Sequence, residues 1–132
     1  MKRISVLLAD NHPVVRDGLR MLLEPEGDIE IIGEAKNGLQ AVELARKLRP
    51  AVAVLDIALP RLNGLEATRI IRNTLPRTKV ILLSTHGDDA YVQHATELGA
   101  AGYLLKQSFL PLLAKAIRAV QRGRIVFRPT MT

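Results

Sequence analysis

Two carboxylates, Asp10 and Asp56, stand at the ends of apolar runs, Ile4–Ala9 and Val52–Leu55. Burying an unpaired carboxylate costs on the order of several kcal/mol even after relaxation, so each position needs a reason. Ser84 and Thr85 close a third run, Val80–Leu83, and Lys106 closes a fourth, Gly102–Leu105. With Asn11 beside Asp10, the set holds two carboxylates, an amide, two hydroxyls and an ammonium. Carboxylates brought close together repel, so the pair favours a hard cation that neutralises both. Oxygen-only ligands and retained waters point to Mg2+, held about 2.0–2.1 Å from each oxygen. Such an ion would screen an incoming phosphoryl group from Asp56, whose carboxylate can attack as a nucleophile and form an acyl phosphate. Lys106, as a point charge, and the Ser84 hydroxyl would hold the phosphoryl oxygens. Taken singly, these residue types have ordinary roles: an aspartate caps a turn, a serine forms one, and a lysine snorkels over the surface. Their joint placement at strand ends is what carries the chemistry.

That placement depends on the elements. Apolar strand-like runs alternate with amphipathic segments five times: Ile4–Ala9, Ile29–Ala35, Val52–Leu55, Val80–Leu83 and Gly102–Leu105. The helical stripes between and after them are Val15, Leu19 and Leu22; Ala41, Ala45 and Leu48; Ala67, Ile70 and Ile71; Val92, Ala95 and Leu98; and Leu113, Ala116, Ile117 and Val120. Pro13 suits a first helical turn. Asn37 with Gln40, and Asn63 with Glu66, have capping-box spacing, with Asn in place of Ser or Thr. Asp88 and Ser108 are further cap candidates, and Gly99 sits where a left-handed helix C-cap belongs. Five consecutive β-α units predict an α/β fold, a five-stranded parallel sheet flanked by five helices on both faces. Ligands of such sheets bind beyond the carboxyl ends of the strands, where Asp10, Asp56, Ser84 and Lys106 fall.

Composition sets bounds. The 132 residues make one domain, 48% hydrophobic and 24% charged, which is ordinary globular composition. No apolar run is long enough to span a membrane, and the opening Met1–Asp10 lacks the apolar stretch and cleavage site of a signal peptide. The absence of cysteine excludes disulfides and Cys-ligated zinc and fits a cytoplasmic location. The net charge of +6 is scattered along helical segments, and with two Phe, two Tyr and no Trp there is little for bases to stack on, so the basic balance reads as solvated surface. His12, His86 and His94 raise a zinc site, but they lack HExxH-like spacing and read as surface or capping residues.

Five motifs share a family likeness: Leu8-Ala9-Asp10-Asn11-His12-Pro13, Val54-Leu55-Asp56-Ile57-Ala58-Leu59-Pro60, Asn63-Gly64, Leu82-Leu83-Ser84-Thr85 and Gly102-Tyr103-Leu104-Leu105-Lys106. In this order they closely resemble a response-regulator receiver domain, most of all the NarL/FixJ subfamily, over about Met1 to Arg122. The resemblance implies the flavodoxin-like topology typified by CheY, with strand order 2-1-3-4-5. It implies that Asp56 accepts phosphate from a sensor histidine kinase, and that Asp10, Asn11, Asp56 and the backbone carbonyl of Ala58 bind Mg2+. Ser84 would be the switch hydroxyl, Lys106 its charged partner and Tyr103 the switch aromatic, with Pro60 and Gly64 shaping the loop after Asp56. Such a domain is not an enzyme, although it can slowly remove its own phosphate. Residues 123–132 would open a linker to a helix-turn-helix output domain that alone contacts DNA. Phosphorylation would favour a homodimer through the fourth helix and fifth strand or the first and fifth helices.

Two positions depart from the pattern. Asn11 stands where the family usually has a second acid, which implies weaker Mg2+ binding. Gln107 follows Lys106 where a proline after a cis bond is common, which leaves that peptide's geometry open. Two other classes compete. An aspartyl-phosphate phosphatase of the haloacid dehalogenase type needs an acid two residues after its nucleophile, and this chain has Ala58 there. A phosphorylation-independent interaction scaffold would have no need of Asp56, Ser84 and Lys106, while Asn11 keeps it in play.

Overall fold

The computed structural model describes residues 3–85, 89–106 and 110–128. Six strands form one parallel sheet: β1 (Ile4–Ala9), β2 (Ile29–Ala35), β3 (Val52–Asp56), β4 (Lys79–Ser84), β5 (Gly102–Leu105) and β6 (Val126–Arg128), in the order 2-1-3-4-5-6. Among the described residues the helices are α1 (Pro13–Leu23), α2 (Gly38–Leu48), α3 (Gly64–Thr74), α4 (Asp89–Glu97) and α5 (Leu113–Gln121), the last entered through a 3-10 turn at Leu110–Leu112. The expected order 2-1-3-4-5 is present, but the count of five strands is corrected to six. Val126 and Phe127 pair with Gly102 and Tyr103 in parallel register, inside the segment expected to open a linker. A β-branched residue followed by an aromatic favours a strand, yet a three-residue run is too short to show a period.

Each central strand is buried on both faces, and its alternating residues feed two separate cores. Leu7, Ala53, Leu55, Leu82 and Tyr103 pack on the side of α2, α3 and α4. Val6, Leu8, Val54, Ile81 and Leu83 pack on the side of α1 and α5. This explains why the strands read as continuous apolar runs rather than as an alternation. In α1 the buried stripe runs through Leu19 and Leu23, and Leu22, expected to face the core, is 39% exposed. Spacings of three and four are both helical, and the sheet surface selects the four. Leu48 of α2 is likewise 39% exposed at its helix end.

Both Asn caps form as the spacing predicts, but in neither capping box is the reciprocal bond to the cap residue made. Asn37 accepts from the Gln40 amide at 2.8 Å and Asn63 from the Glu66 amide at 2.9 Å. Gln40 Oε1 accepts from the Lys36 amide, at 2.7 Å, rather than from the amide of the cap residue itself. Glu66 turns instead to Arg69, at 3.2 Å. Gly99 follows α4 at φ 93, as its place in the sequence predicts. Asp88, Ser108, His86 and the Lys106–Gln107 peptide lie outside the described residues.

Two features away from the strand ends yield predictions. Arg118 of α5 clamps the loop before β2, donating to Asp28 at 2.7 and 2.9 Å and to Glu26. The guanidinium hydrogen bond, only partly offset by desolvation, holds the Asp28 carboxyl below the usual carboxylate range. A depressed carboxyl stabilises the fold above its unfolded pKa, about 3.9, and that contribution fades as pH falls through the folded value. The stability gap between the protein and its Asp28→Asn variant should therefore be full at neutral pH and close below about pH 4. Urea unfolding across that range measures it, and a gap independent of pH would count against the clamp. At Gly38, an added Cβ would lie 1.7 Å from the Leu62 carbonyl oxygen and 2.8 Å from the Leu62 Cβ. Gly38→Ala must push α2 off the loop that follows Asp56, and a loss of about 2–4 kcal/mol is expected in the same unfolding measurement.

Candidate functional site

Asp10 follows the last residue of β1, Asp56 is the last residue of β3, and these strands are neighbours through the Ala9–Leu55 pair. Ser84 ends β4 and Lys106 follows β5. The sheet order therefore brings all four to one rim, as the strand-end rule predicts. Asp10, Asp56 and Ser84 are 0%, 3% and 3% exposed. The Lys106 ammonium reaches across from β5 and bridges both acids, 2.8 Å from Asp10 Oδ2 and 3.2 Å from Asp56 Oδ2. This cation answers the cost of burying two carboxylates side by side.

The two acids are held differently. Asp10 Oδ1 accepts from the His12 amide at 2.9 Å and lies 3.1 Å from His12 Nδ1, while Arg16 donates to the Asp10 carbonyl oxygen at 2.7 Å. Asp56 Oδ1 accepts from the Ala58 amide at 3.1 Å. Asp56 Oδ2 is buried and, among the described residues, accepts no hydrogen bond, because the Lys106 ammonium touches it as a charge without hydrogen-bond alignment. The loop after Asp56 is pinned by Gly64, whose amide donates to the Ile57 carbonyl at 2.8 Å. A Cβ at position 64 would stand 2.4 Å from the Asp56 carbonyl oxygen, so only glycine lets α3 begin this close to the acid.

Above these groups lies an open cleft of about 410 Å³ whose lining includes Asp56, Ser84, Thr85 and Lys106. Two further lining residues are His12, whose type raises a zinc ligand near this rim but which reads in the sequence as a surface or capping residue, and Tyr91, which carries no site role in the sequence. The arrival of Tyr91 depends on the course of α4, which no local spacing encodes. Asn11 is exposed at the mouth of the loop. Tyr103 is fully buried on the α4 side of the sheet and stacks on Phe127, with ring centroids 6.4 Å apart and planes 18° apart. His94 sits in the last turn of α4 and is not a member of the Asp10, His12 and Asp56 group.

The residues present fit a divalent cation. Ligand atoms of Asp10, Asp56 and His12 all lie within 4.8 Å of one another, and among the described residues one buried carboxylate oxygen has no hydrogen-bond donor. Asp10 and Asp56 would supply the charged oxygens, and the Ala58 carbonyl and Asn11 lie in the loops beside them.

Residues 6–118 match the family described as the response regulator receiver domain. The chain is 37% identical over 130 residues to the transcriptional regulatory protein DegU of Brevibacillus brevis, covering 98% of this chain and 55% of that protein. It is 44% identical over 120 residues to the transcriptional regulatory protein LiaR of Bacillus subtilis, covering 91% of this chain and 57% of that one. It thus spans little more than half the length of these relatives. Among solved structures, the signal receiver domain of the response regulator NarL from Mycobacterium tuberculosis superposes with a TM-score of 0.89 at 36% identity, over 94% of this chain and 100% of that one.

Proposed function

Because this chain belongs to the response regulator receiver domain family, we propose that it is a phosphorylation switch in which Asp56 is the phosphoacceptor and a sensor histidine kinase the donor. One observation carries this: a buried aspartate at the end of the central strand whose Oδ2 lacks a hydrogen bond and lies against an ammonium. That oxygen attacks the phosphorus of a phosphohistidine, the phosphorus–nitrogen bond breaks, and the electron pair and a proton end on the imidazole. Mg2+ supplies charge neutralisation for the entering phosphoryl group when bound. Lys106 leaves Asp56 Oδ2 for the new phosphoryl oxygens while the Ala58 amide keeps Oδ1 oriented. Ser84, at the end of β4, closes on the same group, and Tyr103 follows on the adjacent strand. Water slowly hydrolyses the acyl phosphate and resets the switch.

In the full-length protein this domain governs a helix-turn-helix DNA-binding output, in the cytoplasm, in keeping with relatives that are named as transcriptional regulators and of which this chain spans little more than half. Among the described residues no helix is long and apolar enough to cross a membrane. The phosphorylated form favours a homodimer, built on α4 and β5 or on α1 and α5. Incubation with acetyl phosphate and Mg2+, read by intact mass and by sedimentation, tests both statements. One added phosphoryl group with a rise in sedimentation coefficient is expected. A protein that takes no phosphate is not this switch, and a phosphorylated monomer leaves dimerisation to the rest of the full-length protein.

A further inference from the structure

We infer that His12 is a nitrogen ligand that tilts the Asp10–Asp56 site from Mg2+ toward Zn2+, a preference that rests on the proposed use of this site for a divalent cation. His12 stands at the N-cap of α1, yet its side chain makes no capping hydrogen bond. The ring turns to the site instead and places Nδ1 3.1 Å from Asp10 Oδ1. Two ligands of one tetrahedral zinc ion, each at about 2.0–2.1 Å, stand about 3.3–3.4 Å apart. The imidazole and the carboxylate, now in hydrogen-bond contact, need to part by only a few tenths of an ångström to share one ion.

The remaining groups leave room for it. Asp10 divides its oxygens, with Oδ2 taken by Lys106 and Oδ1 accepting from the His12 amide and facing the His12 ring, so an ion on Oδ1 leaves the Asp10–Lys106 contact in place and asks the ammonium only to draw back from Asp56 Oδ2. Asp56 offers a buried oxygen without a hydrogen-bond donor, and all three ligand residues meet within 4.8 Å. Arg16 holds the Asp10 carbonyl at 2.7 Å and so fixes the backbone between the two ligands. The His12 ring is 63% exposed, so its far nitrogen reaches solvent when Nδ1 faces the metal. Oxygen-only sites suit Mg2+, whereas imidazole suits zinc, which also lies far above magnesium in affinity for nitrogen donors. Asn11, an exposed amide where an acid would add charge, gives the site little hard-ligand strength to oppose the shift.

Calorimetric titration of the protein with Zn2+ and with Mg2+, repeated on His12→Gln, tests this. The ratio of Zn2+ to Mg2+ affinity should fall by about tenfold or more in the variant. In the unaltered protein, Zn2+ should shift the His12 Nδ1 resonance in nitrogen NMR and leave His94 unmoved. An unchanged ratio, or an Nδ1 resonance that ignores Zn2+, would overturn the assignment. Phosphorylation by acetyl phosphate in Mg2+ is read separately. If that fails while the zinc ratio still depends on His12, the switch reading falls and the ligand assignment stands.

Discussion

Asp56→Asn is expected to abolish the added phosphoryl mass after incubation with acetyl phosphate and Mg2+, with no other residue taking its place. The substitution keeps the shape and the bond from the Ala58 amide, and removes only the nucleophilic charge. Among the described residues Asp10 is the only other buried acid, and its carboxylate is already engaged by His12 and Lys106. The effect should be complete, because an amide oxygen is a far weaker nucleophile than a carboxylate and a nucleophile cannot be replaced by positioning alone. The same variant should lose little stability, since one carboxylate beside one ammonium remains. A mass increment that survives in Asp56→Asn would move the phosphoacceptor elsewhere.

Lys106→Met should cost about 3 kcal/mol of stability, the range seen when one partner of a buried ion pair is removed. The lysine side chain is only 13% exposed and faces acids that are 0% and 4% exposed, so solvent cannot take over its role. Methionine keeps most of the packing stem and leaves the two carboxylates facing each other. Adding Asp56→Asn to this variant should return part of the loss, because only one charge is then uncompensated. Urea unfolding of the two single variants and the double variant gives the coupling directly. Additive losses would show that the ammonium does not bridge the two acids.

Strand positions were legible because burial on both faces leaves a plain signal. β1, β2 and β5 begin and end where their apolar runs do, and β3 and β4 extend to take in Asp56 and Ser84. The rim of Asp10, Asp56, Ser84 and Lys106 followed from those ends together with the topology that the family likeness supplied. The bridge from Lys106 to both acids was not legible, since Lys106 and Asp10 lie 96 residues apart and meet only through strand order. The contact of His12 with Asp10 is local, two residues along the chain, but depends on a ring orientation that no spacing specifies. Leu22 and Leu23 show a similar limit: periodicity gives the apolar side of a helix to within one residue, and the neighbouring surface chooses.

The stack of Tyr103 on Phe127 sets a resting bias. An aromatic pair at such a spacing is worth about 0.5–1.5 kcal/mol beyond the area it covers. Any excursion of the Tyr103 ring away from Phe127 forfeits that amount, so the undisturbed domain is held inward by a factor of about two to twelve from this contact alone. If Tyr103 moves in the proposed switch, the chemistry at Asp56 would work against a threshold whose height is written in β6, far along the chain from the acid. On that proposal, changing residue 127 would retune how readily the domain responds without touching Asp10, Asp56, Ser84 or Lys106.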